Sequence, residues 1–184
     1  GYNEDGTGIW FVALENYVNE DEALFCPTAK KPMSATASDN QYSAWGLFDE
    51  SSWLCAPEVH DKAGSYGFND WLYDEPERWG WNFGDPEQQF RKTTVKYSSE
   101  VPMFADSVWI GSKPEMTDEP PRWENDWAGN GHMMKRFCVD RHDGKINMVF
   151  LDMACEKVGI KQLWKLRWHK NYPVNYPLPR FPDW

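Results

Sequence analysis

The sequence predicts an α+β fold, and three stretches of the chain support this. Near the start, five apolar residues recur at helical spacing: Ile9, Trp10, Ala13, Leu14 and Tyr17. Near the end, the β-favourable run Ile146 to Leu151 is followed by Ala154 to Val158, which could pair back on it as a hairpin. After Gly159 the apolar residues return to helical spacing. Regular structure is therefore predicted at both ends, with long loops between.

Composition indicates one folded domain over residues 1–184. The chain has 184 residues, a length that suits a single domain. Aromatic residues make up 16% of it and include 12 Trp, which is ample material for a core. The net charge of -10 disfavours nucleic acid as a partner, because that binding depends on Lys and Arg neutralising phosphates. The longest apolar runs are far shorter than the ~20 residues that cross a bilayer.

The first predicted element is a short helix at about residues 8–19, with Thr7 as its N-cap. Ser, Asp, Asn, Gly and Pro then separate isolated aromatic residues up to about residue 76, which is typical of loops. Within this stretch, Gly64 and Gly67 are expected in conformations that glycine permits, because a Cβ would clash there.

The middle and the end of the chain alternate between extended and loop-like patterns. Residues 95–109 read as an extended segment, in which Pro102 marks an edge strand or the entrance of a strand. Residues 110–134 carry three prolines and three glycines and are predicted to form a long surface loop. After the hairpin, one helical face carries Ile160, Leu163, Trp164 and Trp168.

His142 and Asp152 stand at opposite ends of the apolar run and are the first candidates for a site. As an acid–base pair or a metal site they would have to converge within hydrogen-bond reach or share an ion. In the structural alternative, His142 satisfies buried backbone groups and Asp152 organises the following turn. The structural alternative is favoured because no third partner is evident, and no hydrolase or phosphate-binding motif is present.

The four cysteines leave two states open. Cys26, Cys55, Cys138 and Cys155 lack the close pairing of a zinc ribbon, so a zinc site is not expected. Two disulfides could form among them in an oxidising compartment, and reduced buried thiols are an equally ordinary state. Spacing alone does not choose between the two states.

Several stretches resemble one family in the order expected for it. The line from Arg141 to Asp152, with nine residues between His142 and Asp152, resembles the H-X9-DG signature of prepilin-type, processing-associated proteins, which are pseudopilin-like and related to type II secretion and type IV pilins. Further similar pieces are CPTAKKP (26–32), GSYGFNDWLY (64–73), PMFADSVW (102–109) and VGIKQLWKLRWHKNY (158–172). The chain departs from the signature at Met153, where the family has glycine.

The resemblance implies a pilin-like head in which a helix stump from the N-terminus packs on an antiparallel sheet. It implies a non-enzymatic subunit of a pseudopilus or type II secretion-like system, with other subunits and the membrane as partners. The precursor would carry an apolar N-terminal helix, absent here, that anchors the head in the inner membrane and places it in the periplasm or at the cell surface. His142 and Asp152 would be structural parts of the family motif.

The departure at Met153 bears on the turn after Asp152. Asp-Gly suits two-residue hairpin turns, because both central residues there need a positive φ that a Cβ penalises. Either the turn is of another type, or the two strands do not meet in a tight hairpin.

Two ligand alternatives remain. No cofactor is expected, and the acidic loops at 38–41, 74–77 and 124–131 are expected to be solvated. If an ion is bound, calcium is the candidate, because it takes oxygen ligands from loops and type II secretion pseudopilins often hold it in a head loop. A carbohydrate-binding module is the alternative function, with Trp71, Trp79 and Trp81 stacking on sugar rings. We expect these rings instead to pin a long loop on the sheet, because large apolar surfaces are more often buried than displayed.

Overall fold

The computed structural model describes residues 8–18, 20–32, 40–49, 57–73, 85–92, 94–123, 126 and 132–182. In these parts the chain has an α+β fold with two sheets and few helices, as the sequence predicted. No helix among the described residues combines the length and the apolar character needed to span a membrane.

The larger sheet has five strands in the order β6-β4-β5-β7-β8. All neighbours are antiparallel except β4 and β6, which run parallel. The strands are β4 (Tyr66–Asn69), β5 (Pro102–Asp106), β6 (Gly111–Ser112), β7 (Lys145–Phe150) and β8 (Cys155–Gly159). The smaller sheet joins β1 (Lys31–Pro32), β2 (Ser43–Gly46) and β3 (Ala63–Gly64), with β2 in the middle.

The predicted hairpin is present as β7 and β8, and the turn that joins them resolves the question raised by Met153. Phe150 N donates to Ala154 O and Met153 N donates to Phe150 O, both at 2.9 Å, so three residues form the loop. Met153 has φ 71° and is exposed. A three-residue loop that ends in a left-handed residue is a common hairpin connection. The turn is therefore tight, and Met153 occupies a position that favours glycine.

The two faces of the larger sheet differ in how they are covered. Because side chains alternate across a strand, one face carries Ala105, Met148 and Val158, all within a buried cluster that also contains Trp71 and Trp168. The opposite face carries Phe104 and Tyr66, which pack against a second cluster around Trp10 and Trp45. On this second face the described residues leave the β7 and β8 side less covered, since Val149 is only half-buried and Cys155 is exposed.

The N-terminal helix is shorter than predicted. Helix α1 spans Trp10–Ala13, begins after Ile9 and has no side-chain cap, while Thr7 lies outside the described residues. Consecutive turns continue the chain to residue 17. The prediction that the apolar residues at helical spacing share a buried face is wrong for Tyr17, which is 82% exposed. The buried residues are instead the consecutive Ile9, Trp10 and Phe11, and three adjacent positions cannot lie on one narrow helical face.

The C-terminal helix is a 3₁₀ helix, Ile160–Lys165. Its apolar face is as predicted, because Ile160, Leu163 and Trp164 are buried. It ends where Leu166 turns to an extended conformation, so Trp168 is beyond it and donates from Nε1 to Leu163 O at 2.8 Å.

Pro102 is the first residue of β5, which agrees with a strand entrance, but β5 is a central strand and not an edge. Gly64 and Gly67 do not have a positive φ. The expected clash is nevertheless real: a Cβ on Gly64 would meet the Trp45 ring at 2.7 Å, and one on Gly67 would meet Trp109 O at 2.6 Å.

The described part of residues 110–134 is packed, not the surface loop that its prolines and glycines suggested. Pro114, Pro120 and Pro121 are buried. Asp126 and Lys135 form a buried ion pair at 2.9 Å, in which Asp126 is also bound by Arg122. Burial raises the pKa of Asp126, but the hydrogen bonds from Arg122 and Lys135 outweigh it and hold that pKa below the usual range of an aspartate.

Candidate functional site

Three distant segments bring a thiol, a carboxylate and an imidazole together. Cys26 and Asp106 are fully buried, and the side chain of His142 is 16% exposed. Cys26 follows a 3₁₀ helix, Asp106 ends β5, and His142 lies in the turn before β7. Their potential ligand atoms all lie within 4.8 Å of one another. This group is the candidate site.

Contacts at the candidate site centre on one ring nitrogen. Nε2 of His142 lies 3.3 Å from Sγ of Cys26 and 3.2 Å from Oδ2 of Asp106. The side-chain amide of Asn147 reaches the same nitrogen at 2.8 Å. Oδ2 of Asp106 also accepts from the backbone N–H of Asn147 at 2.7 Å, which fixes the carboxylate against the start of β7.

Arg141 connects the backbone segments that surround the site. Its guanidinium is buried and donates to the backbone carbonyls of Gln41, Ser43, Ser65 and Ser107 and to Asp106. An arginine side chain has five N–H groups. All five are therefore engaged, and the side chain joins β2 and the ends of β4 and β5 to the turn that carries His142.

The local environment shifts three pKa values. Burial raises the pKa of the Cys26 thiol, Thr28 opposes this by hydrogen bonding, and Asp106 adds to the rise. Burial lowers the pKa of Arg141, although Asp106 favours its charged form. Burial, together with the nearby Cys26 and Asp106, raises the pKa of Tyr66 to about 12. Because its pKa is raised, the Cys26 thiol is protonated at neutral pH.

The arrangement differs from a nucleophile–base–orienter set. Such a set binds the nucleophile at one imidazole nitrogen and the orienting carboxylate at the other. Here Cys26 and Asp106 both approach Nε2. A thiol with a raised pKa is also a weak nucleophile, because the thiolate is the reactive form. The donor set of sulfur, nitrogen and carboxylate oxygen instead fits the ligands of a transition metal.

His142 and Asp152 have separate structural environments, at opposite ends of β7. Oδ1 of Asp152 accepts from Ala154 N at 3.0 Å, so this residue organises the turn as the structural alternative predicted. His142 contacts side chains and not the buried backbone groups expected of it. The partners that sequence reasoning missed are Cys26 and Asp106. Both lie in stretches that carry the family resemblance, CPTAKKP and PMFADSVW, and that resemblance was the available signal.

The structure describes only some of the residues that the sequence suggested for binding a sugar or calcium. Trp71 has no exposed surface and donates from Nε1 to Pro114 O at 3.0 Å, so its ring cannot stack on a sugar. Trp79 and Trp81 lie outside the described residues, as do nearly all residues of the three acidic loops proposed for calcium. Asp126, the described acidic residue of the last loop, is engaged by Lys135.

The cysteines that the structure describes are free thiols: Cys26 and Cys138 are buried and Cys155 is exposed. These three form no disulfide with one another. Cys55 lies outside the described residues.

A second feature is an apolar groove of about 530 Å³ on the open face of the larger sheet. Leu14 and Val18 line one side of it, next to α1, and Val149 and Cys155 line the other. Phe104 of β5 also lines the groove. In the part of the chain that the structure describes, α1 and the turns after it cover this face only part of the way across, which leaves the groove.

The helices and the two sheets place the chain in the α+β class. No protein-family model matches it, and neither a curated protein nor a solved structure does.

Proposed function

We propose that the chain is the head of a pilin-like, non-enzymatic subunit of a pseudopilus or a type II secretion-like assembly. Its precursor would hold it outside the inner membrane through an apolar N-terminal helix. Its partners would be the other subunits of the assembly.

The observation that carries the proposal is the position of the N-terminal helical turn on the larger sheet. The ring of Trp10 lies 5.1 Å from that of Phe104 on β5, and Nε1 of Trp10 donates to Ile110 O at 2.7 Å. A helix that enters the head and packs across antiparallel strands is the architecture that the resemblance implies. The signature residues His142 and Asp152 flank the strand β7 of the same sheet.

The groove beside α1 gives this head a surface for assembly. Its apolar lining is continuous with the N-terminal segment, through Leu14 and Val18. An apolar helix is the partner that such a groove accepts, because it covers apolar surface without leaving backbone groups unpaired. We therefore assign the groove to the apolar helix of a neighbouring subunit.

Cys155 provides the test, because it is exposed and lines the groove. The full-length protein in its native membrane, with Cys55→Ser to confine labelling, is coupled at Cys155 to a photo-crosslinker. We expect a crosslink to a subunit that itself carries a prepilin-type leader and an apolar helix. The matched control is Lys145→Cys in a Cys155→Ser background, since Lys145 is exposed on β7 and is not among the residues that line the groove.

Two outcomes would contradict the proposal. One is a Cys155 label that forms no crosslink to a subunit of this class. The other is an equal yield from position 145, which would mean that contact does not depend on the groove.

A further inference from the structure

We propose that Cys26, Asp106 and His142 form a binding site for a divalent transition-metal ion, with Zn²⁺ as the preferred ion. The three side chains offer a sulfur, an oxygen and a nitrogen that converge within 4.8 Å. Thiolate and imidazole select transition metals over calcium and magnesium, which prefer oxygen ligands alone.

The spacing of the ligand atoms fits a four-coordinate ion. With metal–ligand distances of about 2.0–2.3 Å, the ligands of a tetrahedral zinc are separated from one another by roughly 3.3–3.6 Å. The observed separations from Nε2 of His142 are 3.3 Å to Sγ of Cys26 and 3.2 Å to Oδ2 of Asp106. These two separations match those of a tetrahedral ion, and the third, between the sulfur of Cys26 and the carboxylate of Asp106, is within 4.8 Å.

Crowding at Nε2 is the second argument. An imidazole nitrogen has either one lone pair or one hydrogen, directed to a single point in the ring plane. Three polar groups lie within hydrogen-bond distance of this one nitrogen, at 3.3 Å from Cys26, 3.2 Å from Asp106 and 2.8 Å from Asn147. Without an ion, only one of these contacts can be a well-aligned hydrogen bond. An ion on the lone-pair axis of Nε2 gives the sulfur and the carboxylate a common partner.

The surrounding residues suit such an ion electrostatically. The thiolate of Cys26 and the carboxylate of Asp106 bring two negative charges against the two positive charges of the ion and the one of Arg141, and the thiol proton leaves to solvent on binding. The two carboxylate oxygens of Asp106 have different partners. Oδ1 lies 3.5 Å from Nη1 of Arg141, and Oδ2 lies 3.2 Å from Nε2 of His142. The hydroxyl of Thr28 lies 3.1 Å from Sγ of Cys26, where it can donate to the thiolate. Such outer partners orient and stabilise metal ligands.

Access and coordination number follow from the burial pattern. Cys26 and Asp106 are closed off from solvent, and the edge of His142 is the exposed side of the site. Three protein ligands leave a fourth position. Water can fill it from the His142 side, or the Asn147 amide can fill it by turning its oxygen toward the ion.

The test uses Co²⁺ as a spectroscopic probe on the purified chain after dialysis against a chelator. We expect one equivalent of Co²⁺ to bind, with a thiolate-to-cobalt charge-transfer band and the strong visible bands of a four-coordinate ion, and Zn²⁺ to displace it. Cys26→Ser should abolish the charge-transfer band. His142→Gln should weaken binding by at least about 100-fold, the upper end of the loss that follows removal of an outer partner.

Two matched controls separate this site from the thiols of Cys155 and Cys55. Cys155→Ser and Cys55→Ser should each keep the band and the affinity for Co²⁺. Near-ultraviolet circular dichroism confirms that each variant is folded, and the partly exposed His142 offers a change that disturbs packing less than one at Cys26. Failure to bind one equivalent, a band that persists in Cys26→Ser, or unchanged affinity in His142→Gln would overturn the proposal. None of these outcomes bears on the assembly role.

Discussion

Replacing Arg141 by lysine tests how strongly one side chain holds the fold together. The guanidinium donates to four backbone carbonyls and to Asp106, and its side chain has no exposed surface. Lysine brings three donors in place of five and cannot spread them in a plane. At least two of the five acceptors are then left without a partner in a buried environment.

The magnitude follows from the number of lost partners. Each buried polar group left unsatisfied costs about 1–3 kcal/mol, so Arg141→Lys should lower the free energy of unfolding by about 2–6 kcal/mol. That is a large fraction of the roughly 5–15 kcal/mol that stabilises a typical domain. Arg141→Met removes every donor and leaves Asp106 uncompensated, so we expect this variant not to fold.

Urea denaturation followed by tryptophan fluorescence measures the effect. The matched control is Arg180→Lys, because Arg180 is exposed, and it should change stability by less than about 0.5 kcal/mol. The reasoning is refuted if Arg141→Lys unfolds within about 0.5 kcal/mol of the unmodified chain, since that is the effect of an ordinary surface change.

Three further predictions concern the hairpin turn and the buried ion pair. Met153→Gly should stabilise the chain by about 0.5–1 kcal/mol. The φ of 71° costs an L-residue about 1–2 kcal/mol, and glycine avoids this cost but loses more conformational entropy on folding, which offsets part of the gain. Asp126→Asn should destabilise it by about 3–5 kcal/mol by leaving Lys135 buried and unpaired, and adding Lys135→Met should recover most of that loss. The depressed pKa of Asp126 stabilises the fold above the unfolded aspartate pKa of about 3.9, and this contribution is lost as pH falls toward the folded pKa.

Denaturation midpoints check all three. For Met153→Gly, an unchanged or lower midpoint at constant m-value would contradict the strain argument. For the ion pair, a double variant as unstable as Asp126→Asn alone would show that Lys135 is not the cause. For the pH dependence, the free energy of unfolding of Asp126→Asn should fall less steeply than that of the unmodified chain below about pH 4. Parallel curves of unfolding free energy against pH would contradict the link between the Asp126 pKa and stability.

The sequence revealed the elements whose signals are local. The hairpin β7–β8 was predictable because its two β-favourable runs are separated by a short turn that contains Asp152. The apolar face of Ile160, Leu163 and Trp164 was also predictable, although the 3₁₀ geometry was not. Helix α1 was overpredicted because the spacing of Trp10 and Tyr17 is helical, while burial on the sheet involves adjacent residues and leaves Tyr17 in solvent.

The candidate site was not predictable from spacing, because its residues meet only through the sheet. Cys26 and His142 are 116 positions apart, and β5 brings Asp106 between them. The zinc-ribbon argument considered cysteine pairs alone and could not anticipate a mixed set from three segments. Arg141 was similarly hidden, because nothing in its neighbourhood along the chain signals that an arginine will be buried with five acceptors.

The most direct test of the pilin-like proposal is the protein sequence that the natural gene encodes upstream of this chain. The proposal predicts a short leader with a cleavage site, followed by about 20 apolar residues, long enough to cross a bilayer as a helix. A conventional signal peptide with no such apolar stretch would contradict it.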